Sequence, residues 1–257
     1  MQVYLGDIIP TSTLDWPGKV VLAAFFRGCP FRCPYCSNAR FVEAESGEPA
    51  DVEKVTGEIG RAREFIDGVV LSGGEPLMQF AAFKSIASYA KSSGLLVGVE
   101  TNGMYPGRLK TASEDGLLDA VMLDVKAPLT LEAYSKAIGD VEDCKNALNA
   151  VTASVDLCNR LRADGKLLYY EARTTVFRGL TCRPEDIAAI ASRVSGDVYV
   201  LQQGRPEIAM DETVRKLEAM SRNELLELAK QVKTTSTGAV KVRTREMGDE
   251  TVTLSSS

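Results

Sequence analysis

The sequence predicts an α/β fold of parallel strands joined by helices, either a doubly wound sheet or a full or partial barrel. Three observations carry this. Short apolar runs, several rich in β-branched residues, recur along the chain. Segments with apolar residues at spacings of three and four lie between them. The alternation repeats about six times, which calls for right-handed βαβ crossovers.

The runs occupy residues 20–26, 68–71, 95–99, 118–125, 167–176 and 198–201. Most are bounded by Gly, Pro or polar residues, as expected of strands buried on both faces. A first helix is expected behind Asp51 as N-cap, with Val52, Val55, Ile59 and Ala62 on its apolar face. Phe80, Phe83, Ala87 and Ala90 repeat the pattern. Ile187, Ile190, Ala191 and Val194 form another stripe, on a helix with Pro184 near its start and Glu185 and Asp186 in its first turn. Val141, Cys144, Leu148, Val151, Val155, Cys158 and Leu161 run along one further helix, which makes Cys144 and Cys158 core thiols. Beyond the sixth strand, Ser221 and Glu224 form a capping box ahead of Leu225, Leu228, Ala229 and Val232. A strand-like Ala239–Thr244 follows. The expected organisation is a barrel unit over 1–205, including an N-terminal segment 1–18, and a C-terminal αβ appendage over 206–257. The N-terminal segment holds the only Trp, in Asp15-Trp16-Pro17-Gly18, a turn anchored by a buried indole. Residues 254–257 read as a frayed tail.

The composition excludes several function classes. With 45% apolar and 25% charged residues in 257, the chain has material for one large core. Its longest apolar run is far short of the roughly 18 to 20 residues that span a bilayer, and no signal segment follows Met1, so the expected address is the cytoplasm with no membrane partner. Thirty basic against 35 acidic residues give a net charge of −5, which provides no general attraction to nucleic acid. There is no histidine. That excludes Ser-His-Asp and Cys-His catalysis, His-ligated zinc and any imidazole base, leaving Cys, carboxylates, Lys, Arg or a cofactor to do chemistry.

Cys29, Cys33 and Cys36 stand at C-x3-C-x2-C directly after the first strand, in a loop kept irregular by Pro30 and Pro34. Structural zinc wants four ligands, and neither a His nor a second C-x2-C is available. A [4Fe-4S] cluster held by three thiolates instead keeps one iron open for a substrate or cofactor. Cys182, after the fifth strand, lies where barrel sites form and stays a candidate functional thiol.

Two segments carry a family resemblance. C-x3-C-x2-C after the first strand resembles the cluster motif of the radical S-adenosylmethionine (radical SAM) enzymes, and Ser72-Gly73-Gly74-Glu75-Pro76 at the end of the second resembles their cofactor-binding segment. Glycines there let the backbone approach a ligand, and the Glu75 carboxylate can accept hydrogen bonds from the cofactor's ammonium. Glu100-Thr101-Asn102-Gly103 and Asp124-Val125-Lys126, at the ends of the third and fourth strands, are similar to segments lining the cofactor site of glycyl-radical activating enzymes. Asp15-Trp16-Pro17-Gly18, Arg27-Gly28-Cys29-Pro30, Cys36-Ser37-Asn38, Arg173-Thr174-Thr175-Val176 and Val242-Arg243-Thr244-Arg245-Glu246 together resemble the longer anaerobic ribonucleoside-triphosphate reductase activating proteins. Two departures stand out: Ser37 where such activators often have His, and Glu100 where they often have Asp.

The resemblance implies a partial (β/α)6 barrel in which Cys29, Cys33 and Cys36 hold a [4Fe-4S] cluster whose open iron is chelated by S-adenosylmethionine. Reductive cleavage would give a 5′-deoxyadenosyl radical that abstracts hydrogen from a glycine of anaerobic ribonucleotide reductase. Gly73, Gly74 and Glu75 would fix the methionyl end. Thr101, Asn102, Asp124, Lys126 and Arg173 are the further cofactor-binding candidates, although Lys126 and Arg173 could equally form internal salt bridges between strand ends. An electron donor such as flavodoxin or ferredoxin is implied as a second partner. The alternatives are a radical enzyme acting on a small molecule or on another glycyl-radical enzyme, an iron-sulfur electron carrier, which would normally offer four cysteines, and a zinc-dependent binding module.

Overall fold

The computed structural model describes residues 1–232 and 238–253; the tail expected at 254–257 lies outside the described residues. The chain opens with β1 (Gln2–Val3), β2 (Leu5–Ser12), β3 (Val21–Phe26) and β4 (Ala50–Asp51). Strands and helices then alternate: α1 (Val52–Ala62), β5 (Gly68–Gly73), α2 (Phe80–Ser92), β6 (Leu96–Thr101), α3 (Pro106–Glu114), β7 (Ala120–Asp124). A helix pair, α4 (Leu131–Ile138) and α5 (Cys144–Ala163), leads to β8 (Tyr169–Val176), α6 (Pro184–Ala191) and β9 (Val198–Gln203). The chain continues with α7 (Glu212–Arg215), α8 (Arg222–Lys230), β10 (Ala239–Thr244) and β11 (Gly248–Val252).

The main sheet runs β11-β10-β9-β8-β7-β6-β5-β3-β2. The six expected strands, β3 and β5 to β9, lie side by side in parallel register, and β10 extends them in the same direction. Antiparallel β2 and β11 form the two edges. The sheet does not close, so the fold is a partial barrel of the α/β class.

Period-two alternation sends each strand's residues to two different cores. Outward-facing Leu22, Val69, Leu71, Val97, Val99, Val121 and Tyr170 pack in one core with the helix residues Val55, Ile59, Phe83, Ile86, Val155 and Ile187. Inward-facing Val21, Val70, Ala120 and Met122 form a second, smaller core around Trp16. Gly98 makes room for it: a Cβ there would lie 3.1 Å from the indole, a tight contact. Trp16 therefore plugs the N-terminal end of the barrel, and the polar inward positions Ser72, Glu100, Asp124, Glu171 and Arg173 are left at the C-terminal end.

The strand starts share one device. Asp67, Asp119 and Asp197 immediately precede β5, β7 and β9, and each carboxylate accepts from a backbone N–H of the neighbouring chain, at Val20, Val97 and Tyr170, all at 2.8 Å. Each such bond satisfies a buried or half-buried amide where the ladder begins.

Several expectations need correction. Asp51 occupies the N-cap of α1 but its side chain caps nothing; it accepts from Gln2 Nε2 at 2.5 Å instead. Val141 lies before α5, whose cap is Asp143, and of the two thiols assigned to the core Cys158 is buried while Cys144, the first residue of α5, is only half-buried. Edge strands β2 and β11 and helices α3 and α4 were not anticipated. The Ser221–Glu224 capping box is present in full. No helix among the described residues is long and apolar enough to cross a membrane.

Candidate active site

The three thiols sit on a loop fixed at several points. Chain leaving β3 turns at Gly28, whose φ of +90° is strained for any side chain. Gly28 N and Cys29 N donate to Phe41 O and Val42 O at 2.8 and 2.9 Å, Arg32 N donates to Ile138 O at 2.8 Å, and Cys36 N closes a turn on Cys33 O at 3.0 Å. Arg32 can lie against the end of α4 only because residue 139 is glycine, since a Cβ there would be 2.0 Å from Arg32 O. Phe31, Cys33 and Tyr35 are buried, and Cys29 and Cys36 half-buried.

All three thiols line one cavity of about 1050 Å³, part of it open to solvent. Gly73, Gly74, Thr101, Asn102, Asp124, Lys126 and Arg173, from the C-terminal ends of β5 to β8, supply the facing walls. Every predicted site residue except Glu75 meets there. The two departures noted in the sequence, Ser37 and Glu100, line it as well. Cys182 does not, and is half-buried in the chain leading to α6.

The Gly73-Gly74-Glu75 segment is held closely by the protein around it. A Cβ on Gly73, at φ +119°, would lie 2.2 Å from Phe26 O, and one on Gly74 would lie 2.4 Å from Gly28 O. Backbone of the neighbouring strand and of the cysteine loop fills the space a side chain would need. Glu75 is fully buried. Oε1 accepts from Leu77 N at 3.0 Å, Oε2 from Asn102 N at 2.8 Å, and the Thr101 hydroxyl reaches both oxygens, at 3.0 and 2.9 Å. The carboxylate thus fastens the end of β6 beneath the cavity and has no place in the cavity wall. Burial pushes it up to about 7 against these bonds.

Asn102 carries that order to the thiols, its Nδ2 donating to Cys29 Sγ at 3.5 Å and its Oδ1 accepting from Met104 N at 3.0 Å. Lys126 pairs with Asp124 at 3.1 Å; burial opposes its charge, but Asp124 together with Cys33, Tyr35 and Tyr134 outweighs burial and holds the amine well above its usual range. Arg173 is paired on both sides, with Glu171 through Nε and with Glu100 through Nη1 at 2.5 Å. The salt bridges foreseen for Lys126 and Arg173 therefore exist, on residues that also face the cavity.

Sequence reasoning missed Glu171, the most buried carboxylate of this group. A signal was present: within 169–176 the odd positions Tyr169, Glu171, Arg173 and Thr175 are polar or amphipathic, which marks an inner face unlike the apolar outer one. Burial would raise the Glu171 carboxyl, but the charges of Arg173 and Arg243 overcome it and hold the group at about 2.

The cavity suits a metal-sulfur cluster with a polar ligand beside it. Burial pushes Cys29 up to about 12 and Cys33 to about 11, so these thiols ionise only against a strong positive charge such as iron. No three His, Cys, Asp or Glu side chains among the described residues come together as a site for a single ion. Two residues of the wall, Tyr35 and Arg173, each carry a buried polar atom without a hydrogen-bond partner, Oη and Nη2, as do Tyr134, Tyr170 and Arg178 away from it.

Comparison with known proteins agrees. Residues 24–160 match the radical SAM superfamily. Over 231 residues the chain is 35% identical to the "putative glycyl-radical enzyme activating enzyme" of Methanocaldococcus jannaschii, covering 90% of this chain and 92% of that one. Over 122 residues it is 34% identical to the pyruvate formate-lyase 1-activating enzyme of Escherichia coli K12, covering 45% of this chain and 48% of that enzyme. Among solved structures, TYW1 with a lysine-pyruvate adduct bound shares the fold, with a TM-score of 0.60 at 16% identity over 89% of this chain and 77% of that one. The cysteine loop, the strand-end cavity and these matches together make the chain a member of the radical SAM superfamily, whose enzymes use a [4Fe-4S] cluster and S-adenosylmethionine.

Proposed function

We propose that the chain is a glycyl-radical activating enzyme whose cluster is held by Cys29, Cys33 and Cys36, and whose target is a glycine of an anaerobic ribonucleoside-triphosphate reductase. The observation that carries this reading is the convergence of three thiols from one loop with the strand-end groups on a single cavity. When bound, the cluster and S-adenosylmethionine supply one-electron cleavage of a sulfonium and abstraction of a hydrogen atom. Lys126 and Arg173 offer donors for the cofactor's carboxylate and hydroxyls, Asp124 an acceptor, and Gly73, Gly74, Thr101 and Asn102 the backbone wall. Asn102 also donates to the Cys29 sulfur, an interaction that tunes cluster potential. Tyr35 and Phe177, with ring centroids 5.1 Å apart on the cavity wall, help exclude water.

A macromolecular target is supported by the open sheet, which leaves a lateral side through which an extended loop can approach, and by the 35% identity to an archaeal protein named for glycyl-radical enzyme activation. An electron donor such as flavodoxin or ferredoxin would provide the electron. Anaerobically reconstituted protein is expected to hold about four irons per chain, a content lost on replacing Cys29, Cys33 or Cys36 by Ala and kept in Cys144→Ala. Reduced and mixed with S-adenosylmethionine and the reductase, it should give a glycyl radical seen as an electron paramagnetic resonance doublet. Deoxyadenosine formed without a protein radical would move the target to a small molecule, and full iron content in Cys29→Ala would overturn the ligand assignment.

A further inference from the structure

The C-terminal hairpin reaches the cavity through a line of paired charges. Asp249 on β11 holds Arg243 on β10 at two points, Oδ1 to Nε at 2.6 Å and Oδ2 to Nη2 at 3.0 Å. Arg243 extends across β9 to Glu171 on β8, Nη1 lying 3.2 Å from Oε1 and Nη2 3.4 Å from Oε2. Glu171 Oε2 also accepts from the Tyr169 hydroxyl at 2.6 Å, and Oε1 accepts from Arg173 Nε. Arg173 Nη1 is taken by Glu100, so Nη2 is the one nitrogen of this guanidinium left without a partner.

We propose that Arg243 is a positioning residue for the cavity, keeping Arg173 Nη2 free to donate to whatever binds there. The reasoning is one of competing geometries. A carboxylate facing a guanidinium gains most from two parallel bonds, here to Nε and Nη2. Glu171 forms only the first with Arg173, because Arg243 and Tyr169 hold its carboxylate from the other side. Without Arg243 only a hydroxyl competes, and a fully buried carboxylate gains by turning onto the Arg173 fork. Nη2 is then consumed by the protein itself. The hairpin in this way belongs to the site and does more than extend the sheet.

The identity of the occupant rests on the functional reading above, whereas the positioning does not, and the test separates the two. Arg243→Met removes the charge at similar length. Arg222→Met is the control, since it breaks another hairpin link, to Glu250 at 2.5 Å, without touching Glu171. Crystal structures of the cofactor-free proteins should show Arg173 Nη2 bonded to Glu171 in Arg243→Met and free in the control. Equilibrium binding of S-adenosylmethionine to reconstituted protein should weaken about tenfold in Arg243→Met, less in Arg243→Lys, and less than about twofold in Arg222→Met. In an Arg173→Met background, Arg243→Met should add nothing. Equal losses in Arg243→Met and Arg222→Met, additive effects with Arg173→Met, or an unmoved Arg173 fork in the crystal would overturn the proposal. Should the wild type bind no S-adenosylmethionine, the functional reading falls, and the crystal structures still decide the role of Arg243.

Discussion

Glu75→Gln tests the strut beneath the cavity. The carboxylate serves three donors, Leu77 N, Asn102 N and the Thr101 hydroxyl. An amide has one acceptor oxygen, so whichever way Gln turns, its NH2 meets either the Leu77 or the Asn102 amide. The Thr101 hydroxyl can rotate to accommodate this; a backbone N–H cannot. One buried N–H left orphaned costs about 1 to 3 kcal/mol. The cost also depends on pH. Burial raises Glu75 from 4.5 to about 7, and an acid whose folded pKa lies above its unfolded value stabilises the fold fully below about pH 4.5 and loses that contribution as pH rises through about 7. Lowering the pH from about 8 to about 5.5 therefore adds about 2 kcal/mol to the wild type at 1.36 kcal/mol per unit. Gln does not titrate and gains none of it. Urea denaturation of the iron-free proteins at both pH values should show a deficit of about 1 to 3 kcal/mol near pH 8, larger by about 2 kcal/mol near pH 5.5. A deficit that stays constant or shrinks on acidification would refute the placement of Glu75 as a raised, buried acid.

Gly73→Ala should yield little folded protein or lose more than about 3 kcal/mol, because the three atoms nearest its Cβ are all backbone of β3; Gly94→Ala, at φ +80° with nothing within 4 Å, should lose only about 1 to 2 kcal/mol in the same urea denaturation. Equal losses would show that φ alone, and not the neighbouring strand, demands glycine at 73. Trp16→Ala should cost about 3 to 5 kcal/mol by removing the plug of the inner core, followed by circular dichroism because the only Trp is lost. A loss under about 1 kcal/mol would mean that the indole merely rests on the barrel.

What the sequence made legible follows from how each part is buried. Strands β3 and β5 to β9 carry apolar residues on both faces over much of their length, so they read as continuous runs. β2 escaped notice because it is an edge strand, largely exposed and interrupted by Pro10. β11, Gly-Asp-Glu-Thr-Val, is polar because its side chains answer cations on α8 and β10 rather than fill a core. The cysteine loop and Gly73-Gly74 were legible as motifs, yet the reason for the glycines was not. Nothing local reveals that Phe26 O and Gly28 O, more than forty residues earlier in the chain, occupy the space of their missing Cβ atoms. Glu75 is the same case: its acceptor role depends on Thr101 and Asn102 arriving from the next strand. Arg173 was found by resemblance, but its pairing with Glu100 and Glu171 was not legible, because apolar patterning does not encode which inward-facing charges meet.

The inner face holds more charge than a buried surface usually bears, and its order explains how. Asp249, Arg243, Glu171, Arg173 and Glu100 alternate in sign, so each interior charge of the chain touches an opposite one on both sides. A buried pair broken on one side leaves an uncompensated charge, a cost of several kcal/mol, and the alternation avoids that at each interior position. Trp16 and its neighbours close the barrel below these charges, keeping bulk water from screening them from that end. The same dryness that strengthens the pairs makes an unmade hydrogen bond expensive. Arg173 Nη2, in a network that otherwise satisfies its members, and the Tyr35 hydroxyl carry that expense on two residues that line the cavity. Any ligand that reached either group would recover that expense, which a hydrogen bond made elsewhere on the wall would not.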